Sequence, residues 1–402
     1  MFVFPFRVLA LAFAVVFLAA CGSLERQEAV PEQAVQRAEI PGIPNARYWP
    51  LSDNAALVAE ALAGIDREQL ARKQDGATGP LPPAVYLSIS GGGDNGAFGA
   101  GLLNGWSAHG DRPQFKVVTG ISTGSLIAPF AFLGPDYDDE LAAVYTSVSQ
   151  KDIFNQRSIL SALTKDGLGD TTPLYKLIGR YVDEKFLSRI AEEYQRGRFL
   201  FIGTTNLDAQ QPVIWNMGAI AAANTPESAD LFHRIMLASA SIPGAFSPVM
   251  IDVEVDGKHY QEMHVDGGTM AQVFLYPPAI SNEMEANNLQ GLRERRAYII
   301  RNARLDANWS SVERSTVTIT GKAIATLLQS QGFGDLYRIY LTTLEDGVDY
   351  NLAYIGSDFK AEHREEFDSE YMHKLYDYAF ERAVDGYDWD KLPPGYKRTV
   401  KP

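Results

Sequence analysis

Residues 116–133 read Lys-Val-Val-Thr-Gly-Ile-Ser-Thr-Gly-Ser-Leu-Ile-Ala-Pro-Phe-Ala-Phe-Leu. Residues 116–120 have the β-branched composition of a short strand, and residues 124–133 predict an apolar helix that Pro129 bends. Between them, Gly120-Ile121-Ser122-Thr123-Gly124 matches Gly-x-Ser-x-Gly, whose glycines allow a sharp turn that lifts the serine oxygen out of a sheet. Five residues are a weak signal in a chain with 34 glycines, but here a strand precedes them and a helix follows. Ser122 is therefore the candidate nucleophile.

A second strand, turn and helix precede this segment. Residues 84–89 predict a strand, Gly91-Gly92-Gly93 follow it, and residues 97–107 have helical spacing. Consecutive glycines can turn their N–H groups towards one point, so Gly91, Gly92 and Gly93 are candidate donors for an oxyanion. Gly91, Gly93 and Gly96 also fit the dinucleotide pattern Gly-x-Gly-x-x-Gly. That pattern needs an acidic residue at the end of the next strand, where this chain has Gly120-Ile121-Ser122.

Strands and helices continue to alternate beyond residue 133, which predicts an α/β fold with a mostly parallel central sheet. Further strands are predicted at 199–204, 212–216, 250–255, 259–265 and 297–302. Helices are predicted at 54–73, 310–332 and 369–386, together with one that ends before Pro243. Thr172 and Pro173 are expected to cap and begin another helix.

Asp266 ends the predicted strand 259–265 and is followed by two glycines. A lone Asp-Gly-Gly is more often a surface turn than a base, yet a serine nucleophile needs a base to take its proton. An unperturbed carboxylate is a poor base for a hydroxyl, so Asp266 in this role should be partly buried, with a raised pKa. A histidine is the alternative: His264 lies two residues from Asp266 on the same strand face, and His363 and His373 follow it in the chain.

Four blocks in this order together resemble the patatin-like phospholipases. They are residues 91–96 (GGGDNG), 120–124 (GISTG), 238–248 (ASASIPGAFSP) and 266–268 (DGG). The resemblance spans roughly residues 83–275. It implies a three-layer α/β fold with a nucleophile elbow and a Ser122–Asp266 dyad that works without histidine. It also implies that Gly91 to Gly93 hold the oxyanion.

Two positions depart from the family pattern. The family usually has Asp where Ser90 stands and a basic residue where Asn95 stands. The departure at Asn95 affects the expected detail of the oxyanion loop and leaves its backbone donors in place.

The N-terminal residues predict export. Arg7 precedes an apolar run over residues 8–17, and Leu18-Ala19-Ala20-Cys21 follows directly. The run is short for a bilayer, which takes about 20 apolar residues, so a permanent transmembrane helix is the weaker alternative. Leu-Ala-Ala-Cys resembles the lipobox of bacterial lipoproteins, which implies that Cys21, the one cysteine of the chain, is acylated. Gly22 and Ser23 follow it, which favours the outer membrane of the cell envelope.

The expected organisation is a signal peptide at 1–20, a lipid-anchored tether with a flanking helix at 21–83, and a catalytic domain with a helical C-terminal extension at 84–402. The chain of 402 residues has a formal net charge of −14 and no run of Lys and Arg, which argues against a nucleic-acid partner. Its six histidines are scattered, so neither a metal nor a cofactor is expected. Protein partners remain unassigned.

The resulting hypothesis is a serine acyl-hydrolase that cleaves carboxylic esters of membrane lipids, of the phospholipase A or lysophospholipase type, through an acyl-serine intermediate. Two alternatives stay open from the sequence. One is a general esterase or thioesterase with a histidine-assisted triad, because the motifs fix the reaction and leave the acyl donor undefined. The other is a non-catalytic envelope lipoprotein that keeps the fold as a scaffold.

Overall fold

A nine-stranded sheet forms the centre of the computed structural model, which describes residues 26–52, 54–157, 166–286, 291–307 and 309–397. The strands are β1 Arg47–Tyr48, β2 Ala84–Ile89, β3 Val117–Ile121, β4 Asn155–Gln156, β5 Gly169–Asp170, β6 Phe199–Asn206, β7 Gln211–Asn216, β8 Val249–Val255, β9 Lys258–Asp266, β10 Arg295–Arg304 and β11 Asp349–Ile355. The sheet order is β1-β7-β6-β3-β2-β10-β11, and β9 joins β8 to β6, while β4 and β5 pair separately. The five strands β6, β3, β2, β10 and β11 are parallel, and the other pairs are antiparallel. The predicted α/β fold with a mostly parallel sheet is confirmed.

Helices flank this sheet. They are α1 Ala55–Gln74, α2 Gly96–His109, α3 Thr123–Leu133, α4 Asp138–Thr146, α5 Gln150–Ile153, α6 Thr172–Tyr181, α7 Glu184–Gln195, α8 Met217–Ala223, α9 Pro226–Ser239, α10 Pro278–Ala286, α11 Thr316–Glu345 and α12 Ser369–Val384. The main core fills the space between the sheet and helices such as α2, α3, α9 and α12. A smaller core lies between β10, β11 and α11. Burial on both faces explains why β2 is apolar almost throughout and why every residue of β6 is buried.

Several element boundaries differ from the sequence-based predictions. Thr171, and not Thr172, occupies the N-cap position of α6, so this helix begins one residue earlier than expected and Pro173 is its second residue. The helix predicted before Pro243 is two helices, because Asn224 adopts a left-handed conformation and the Thr225 side chain caps a new helix. Helix α11 begins at Thr316, where the Ser315 side chain accepts a hydrogen bond from the N–H of Thr318, and continues to Glu345.

The segment from residue 26 to residue 49, expected to be a polar tether, packs onto the body of the protein. Val30, Ile40 and Trp49 are buried in the main core, and β1 pairs with β7. These apolar side chains stand between the prolines of a segment that otherwise looks polar, which is why composition alone suggested a linker. The predicted signal peptide and Cys21 lie outside the described residues. Within the described residues, no helix has both the length and the hydropathy to cross a bilayer.

Candidate active site

The strand register brings Ser122 and Asp266 together. Strand β3 pairs with β6 up to Ile121 opposite Gly203, and β9 pairs with the next β6 residue through Asp266 opposite Thr204. Strand β7 pairs with one edge of β6, so β3 and β9 must both pair with the opposite edge of β6. The carboxyl ends of β3 and β9 therefore meet there. A Cβ atom on Gly267 would lie 2.5 Å from the carbonyl oxygen of Gly203, so only glycine allows this junction.

The turn at Ser122 is sharp and strained. Ser122 has φ +54° and ψ −128°, an unfavourable conformation for a residue with a side chain, and it stands at the N-cap of α3. A Cβ on Gly120 would lie 2.4 Å from the carbonyl oxygen of Gly124, and one on Gly124 would lie 2.3 Å from that of Ile89. Both motif glycines are therefore required by close backbone packing around Ser122.

The Ser122 hydroxyl donates a hydrogen bond of 2.6 Å to Oδ2 of Asp266. The N–H of Gly268 donates to the other carboxylate oxygen at 2.7 Å. Asp266 is 5% exposed, and its burial raises the pKa of the carboxyl group to about 6, against the opposing effect of the two hydrogen bonds. A carboxylate with a pKa near neutrality can hold a proton during a reaction and release it afterwards, which is what a general base must do.

One turn braces both residues. Ser239 Oγ accepts a hydrogen bond of 3.0 Å from the N–H of Ser122 and donates one of 2.7 Å to the carbonyl oxygen of Gly203. Two residues on, the carbonyl oxygen of Ser241 accepts the N–H of Asp266 at 2.9 Å. Both serines are fully buried. The block at 238–248 thus fixes the backbone on each side of the Ser122–Asp266 hydrogen bond.

The three glycines of the turn after β2 have different environments. Gly91 packs against Ser122, because a Cβ on Gly91 would lie 3.1 Å from the Ser122 Cβ. The N–H of Gly91, however, donates to the carbonyl oxygen of Gln272 at 3.1 Å, so this predicted oxyanion donor is already engaged. The N–H groups of Gly92 and Gly93 have no acceptor among the described residues. They are the amide donors of this turn that no described residue occupies.

Asn302, at the carboxyl end of β10, anchors this turn and was missed by the sequence reasoning. Its N–H donates to Ser90 Oγ at 2.9 Å, its Nδ2 donates to the carbonyl oxygen of Ser90 at 2.9 Å, and its Oδ1 accepts the N–H of Gly99 at 3.0 Å. A Cβ on Gly92 would lie 2.1 Å from the Asn302 carbonyl oxygen. A polar residue at the end of a predicted buried strand was the one available signal. Ser90, where the family pattern has Asp, provides the hydroxyl that accepts from Asn302.

The C-terminal extension holds the other side of the turn. Tyr371 donates its hydroxyl to Asn95 Oδ1 at 2.6 Å. The carboxylate of Asp94, 3% exposed, is hydrogen-bonded by His363 Nε2 at 2.7 Å and by the N–H of Phe367 at 2.9 Å. Asn95 thus stands where the family pattern has a basic residue, and the hydroxyl of Tyr371 on α12 holds its amide in place.

The three candidate histidines do not reach the pair. His264 is fully buried, with Nδ1 on Thr204 and Nε2 on Glu262, and its burial lowers the pKa of the imidazole. His363 contacts Asp94, and His373 contacts the carbonyl oxygen of Ser369. In the described part of the chain, no group of three His, Cys, Asp or Glu side chains converges as metal ligands would.

Comparison with known proteins gave one family match. The family model described as patatin-like phospholipase matches residues 87–278, which includes Ser122 and Asp266. No curated protein sequence matches the chain. Among solved structures, VipD from Legionella pneumophila is similar with 12% identity and a TM-score of 0.32, over 77% of this chain and 67% of that one. At that score the structural similarity carries no argument. The relation to patatin-like phospholipases rests on the family match over residues 87–278.

Proposed function

We propose that this chain, a member of the patatin-like phospholipase family, cleaves the carboxylic esters of membrane lipids with Ser122 as nucleophile and Asp266 as general base. Family membership makes the protein a serine hydrolase that acts on lipid acyl groups. The observation that carries the assignment of residues is the 2.6 Å hydrogen bond between Ser122 and the buried Asp266.

The reaction follows from this geometry. Ser122 Oγ attacks the ester carbonyl carbon while its proton passes to Asp266 Oδ2, and the carbonyl oxygen becomes an oxyanion. The N–H groups of Gly92 and Gly93, with the N-terminus of α3, stabilise that negative charge. Collapse of the intermediate breaks the ester C–O bond, and Asp266 returns the proton to the departing alcohol. Water then attacks the acyl-serine with Asp266 as base, releasing the fatty acid and restoring Ser122.

An exposed apolar segment supports a substrate that lies in a membrane. Strand β10 is parallel to β2 and β3, so its carboxyl end lies at the same end of the sheet as Ser122. Beyond β10 the chain exposes Trp309 (87%) and Leu327 (68%). The first half of α11, residues 316–330, contains Lys322 as its one charged residue in a chain of net charge −14. An exposed helix of this composition fits the interfacial region of a lipid bilayer, where tryptophan is also favoured.

The decisive experiment compares the protein lacking residues 1–25 with its Ser122→Ala variant on a soluble short-chain ester and on phospholipid vesicles. All of the interactions given above lie between residues 26 and 397, so this truncated protein retains them. We expect Ser122→Ala to abolish both activities. Equal activity of the two proteins would contradict the proposal, and products from diacyl and monoacyl lipids would distinguish phospholipase A from lysophospholipase activity.

The lipid surface is tested by Leu327→Asp against Leu341→Asp, a control at another exposed leucine of the same helix. Removing a buried leucine from the bilayer should weaken vesicle partitioning by about 10- to 100-fold. Leu327→Asp should therefore lower vesicle hydrolysis and leave hydrolysis of the soluble ester unchanged. Equal loss in the two variants would argue against a specific role for the first half of α11.

We also propose that the protein is a lipoprotein of the cell envelope, anchored through Cys21 in the outer membrane. The lipobox-like Leu18-Ala19-Ala20-Cys21 supports this. The test is incorporation of labelled palmitate into the full chain, with Cys21→Ser as control. An unlabelled wild-type protein in a lipoprotein-processing host would contradict the anchor.

A further inference from the structure

A cavity of about 110 Å³ lies at the amino ends of the parallel strands, away from Ser122. Its floor is the sheet, including Tyr86, Val117 and Phe199, and helices α1 and α10 contribute other walls. Val117 is five residues before Ser122 in the chain, so on β3 the cavity floor is about 16 Å from the nucleophile, and neither Ser122 nor Asp266 lines the cavity. The cavity is therefore separate from the site described above.

The cavity is apolar along most of its length. Phe199, Phe201 and Ile214 line one end, and Leu57 and Ile280 approach from the two helices. Its lining runs across β7, β6, β3, β2 and β10, four inter-strand spacings or about 19 Å. Cavities of this size class with apolar walls take up hydrocarbon groups of ligands. The extent of this lining across the sheet suits an alkyl chain.

The other end of the cavity is cationic. Arg293 and Arg295 line it, and Lys116 lies further along the wall, beside the Phe199 ring. Together with the carboxylates of Glu68 and Asp346, these residues carry one positive charge in excess. Lys116 and Arg293 both pair with Glu68, at 2.6 Å and 2.7 Å. A buried cation without a matching anion is costly, so this end should attract a single negative charge.

Arg295 provides the free hydrogen-bond donors. The residue is 7% exposed, yet its guanidinium makes one hydrogen bond within the described residues, to the carbonyl oxygen of Asp346. A guanidinium has five N–H donors in a planar arrangement that matches a carboxylate. The Asp346 carboxylate makes no hydrogen bond to this guanidinium among the described contacts, and its Oδ2 accepts from Tyr276 and Ser281 at 2.7 Å each.

From these observations we infer that the cavity binds a long-chain carboxylate, with its head group on Arg295 and its alkyl chain extending towards Ile214. The chemical class is that of the fatty acid released by an ester hydrolase. The inference rests on the cavity alone and holds independently of the reaction proposed above.

The test is calorimetric titration of laurate, below its micelle concentration, into the protein lacking residues 1–25. Arg295→Gln removes the guanidinium, and Arg296→Gln is the matched control, since Arg296 is the exposed neighbour on the same strand. We expect Arg295→Gln to bind about 10- to 100-fold more weakly, the range for a lost charged hydrogen bond, and Arg296→Gln to match wild type. Equal affinities in all three proteins would overturn the inference.

Two further arms keep the test valid if Arg295→Gln does not fold. Ala61→Phe fills the cavity from α1 and leaves the cationic end intact, so laurate binding should be lost. Dodecanol and dodecyltrimethylammonium carry the same chain with a neutral or a cationic head, and both should bind more weakly than laurate. Undiminished binding to Ala61→Phe, or equal binding of the three probes, would refute the site. Ester hydrolysis enters none of these measurements, so an inactive protein would leave the result intact.

Discussion

Replacing Asp266 by Asn should make the protein more stable while it removes activity, and the stability gain should depend on pH. The carboxyl group titrates with a pKa of about 6 in the folded protein, raised from 3.8 by burial. Because the folded pKa lies above the unfolded one, the folded state binds more protons between these values, and stability falls as pH rises through this window. Above pH 6 the folded protein carries the full cost of a buried carboxylate.

The magnitude follows from the two pKa values. Between pH 4.5 and pH 8 the Asp266 carboxyl group should lower the free energy of unfolding by about 2 kcal/mol. Asn cannot ionise, so the free energy of unfolding of Asp266→Asn should not show this loss. Relative to wild type, the variant should therefore gain about 2 kcal/mol between pH 4.5 and pH 8. A fixed loss remains, since Asn offers one carbonyl oxygen where Asp accepts from both Ser122 and Gly268.

The assay is urea unfolding of both proteins at pH 4.5 and pH 8, together with the pH dependence of kcat/KM on a soluble ester. Wild-type activity should rise with pH about an apparent pKa of 6, as the base form of Asp266 accumulates, and Asp266→Asn should lose about 10²- to 10⁴-fold. A difference in stability that is the same at both pH values would refute the reasoning, as would wild-type activity that is flat from pH 5 to pH 8.

Asp208→Asn is the matched control for the direction in which stability changes with pH. Burial raises the pKa of Asp208, but the Arg26 side chain and the N–H of Met263 outweigh that effect, so the net shift is downward. Its carboxylate therefore contributes stability above the unfolded pKa that is lost as pH falls through the lowered folded value. Asp208→Asn should be destabilising at pH 8, less so in acid, and fully active.

Three further substitutions test the surroundings of the site. Ser239→Ala removes the acceptor for the Ser122 N–H and should lower kcat by about 10- to 100-fold with KM unchanged; a rise in KM alone would contradict a positioning role. Asn302→Ala releases Ser90 and the glycine turn, and should lower kcat by about 10²-fold as well as the free energy of unfolding by about 1–3 kcal/mol; an unchanged kcat would separate Asn302 from the oxyanion site. His264→Ala should cost about 1–3 kcal/mol in unfolding and retain wild-type kcat, whereas a collapse of kcat would favour a histidine-dependent mechanism.

Local sequence patterns predicted the elements that carry the candidate site. The Gly-x-Ser-x-Gly turn, the glycine run after β2 and the Asp-Gly-Gly at the end of β9 are each set by short-range geometry, so their residues could be named from the sequence. The contact between Ser122 and Asp266 depends on adjacent registers along β6, at Gly203 and Thr204. Strand register across such separations is not encoded in any one segment, and here the family resemblance supplied the pairing.

What the sequence did not reveal comes from distant parts of the chain. Asn302 meets Ser90 across 212 positions, and Tyr371 meets Asn95 across 276. Strand β11 was not predicted because its buried face depends on α11, whose length was also underestimated. The engagement of the Gly91 amide depends on Gln272, which follows Asp266 in the chain. Each is a tertiary contact that periodicity and turn propensity do not report.

The packing of the N-terminal segment sets the reach of an anchored enzyme. Arg26 forms an ion pair of 2.8 Å with Asp208, and the N–H of Gln261 donates to the carbonyl oxygen of Glu28, so the chain joins the folded body at once after residue 25. Between Cys21 and Arg26 a fully extended chain spans at most about 18 Å. With acyl chains on Cys21, the catalytic body would rest against the leaflet that holds them. It would draw its substrates from that leaflet and could not cross the periplasmic space to work on an opposing membrane.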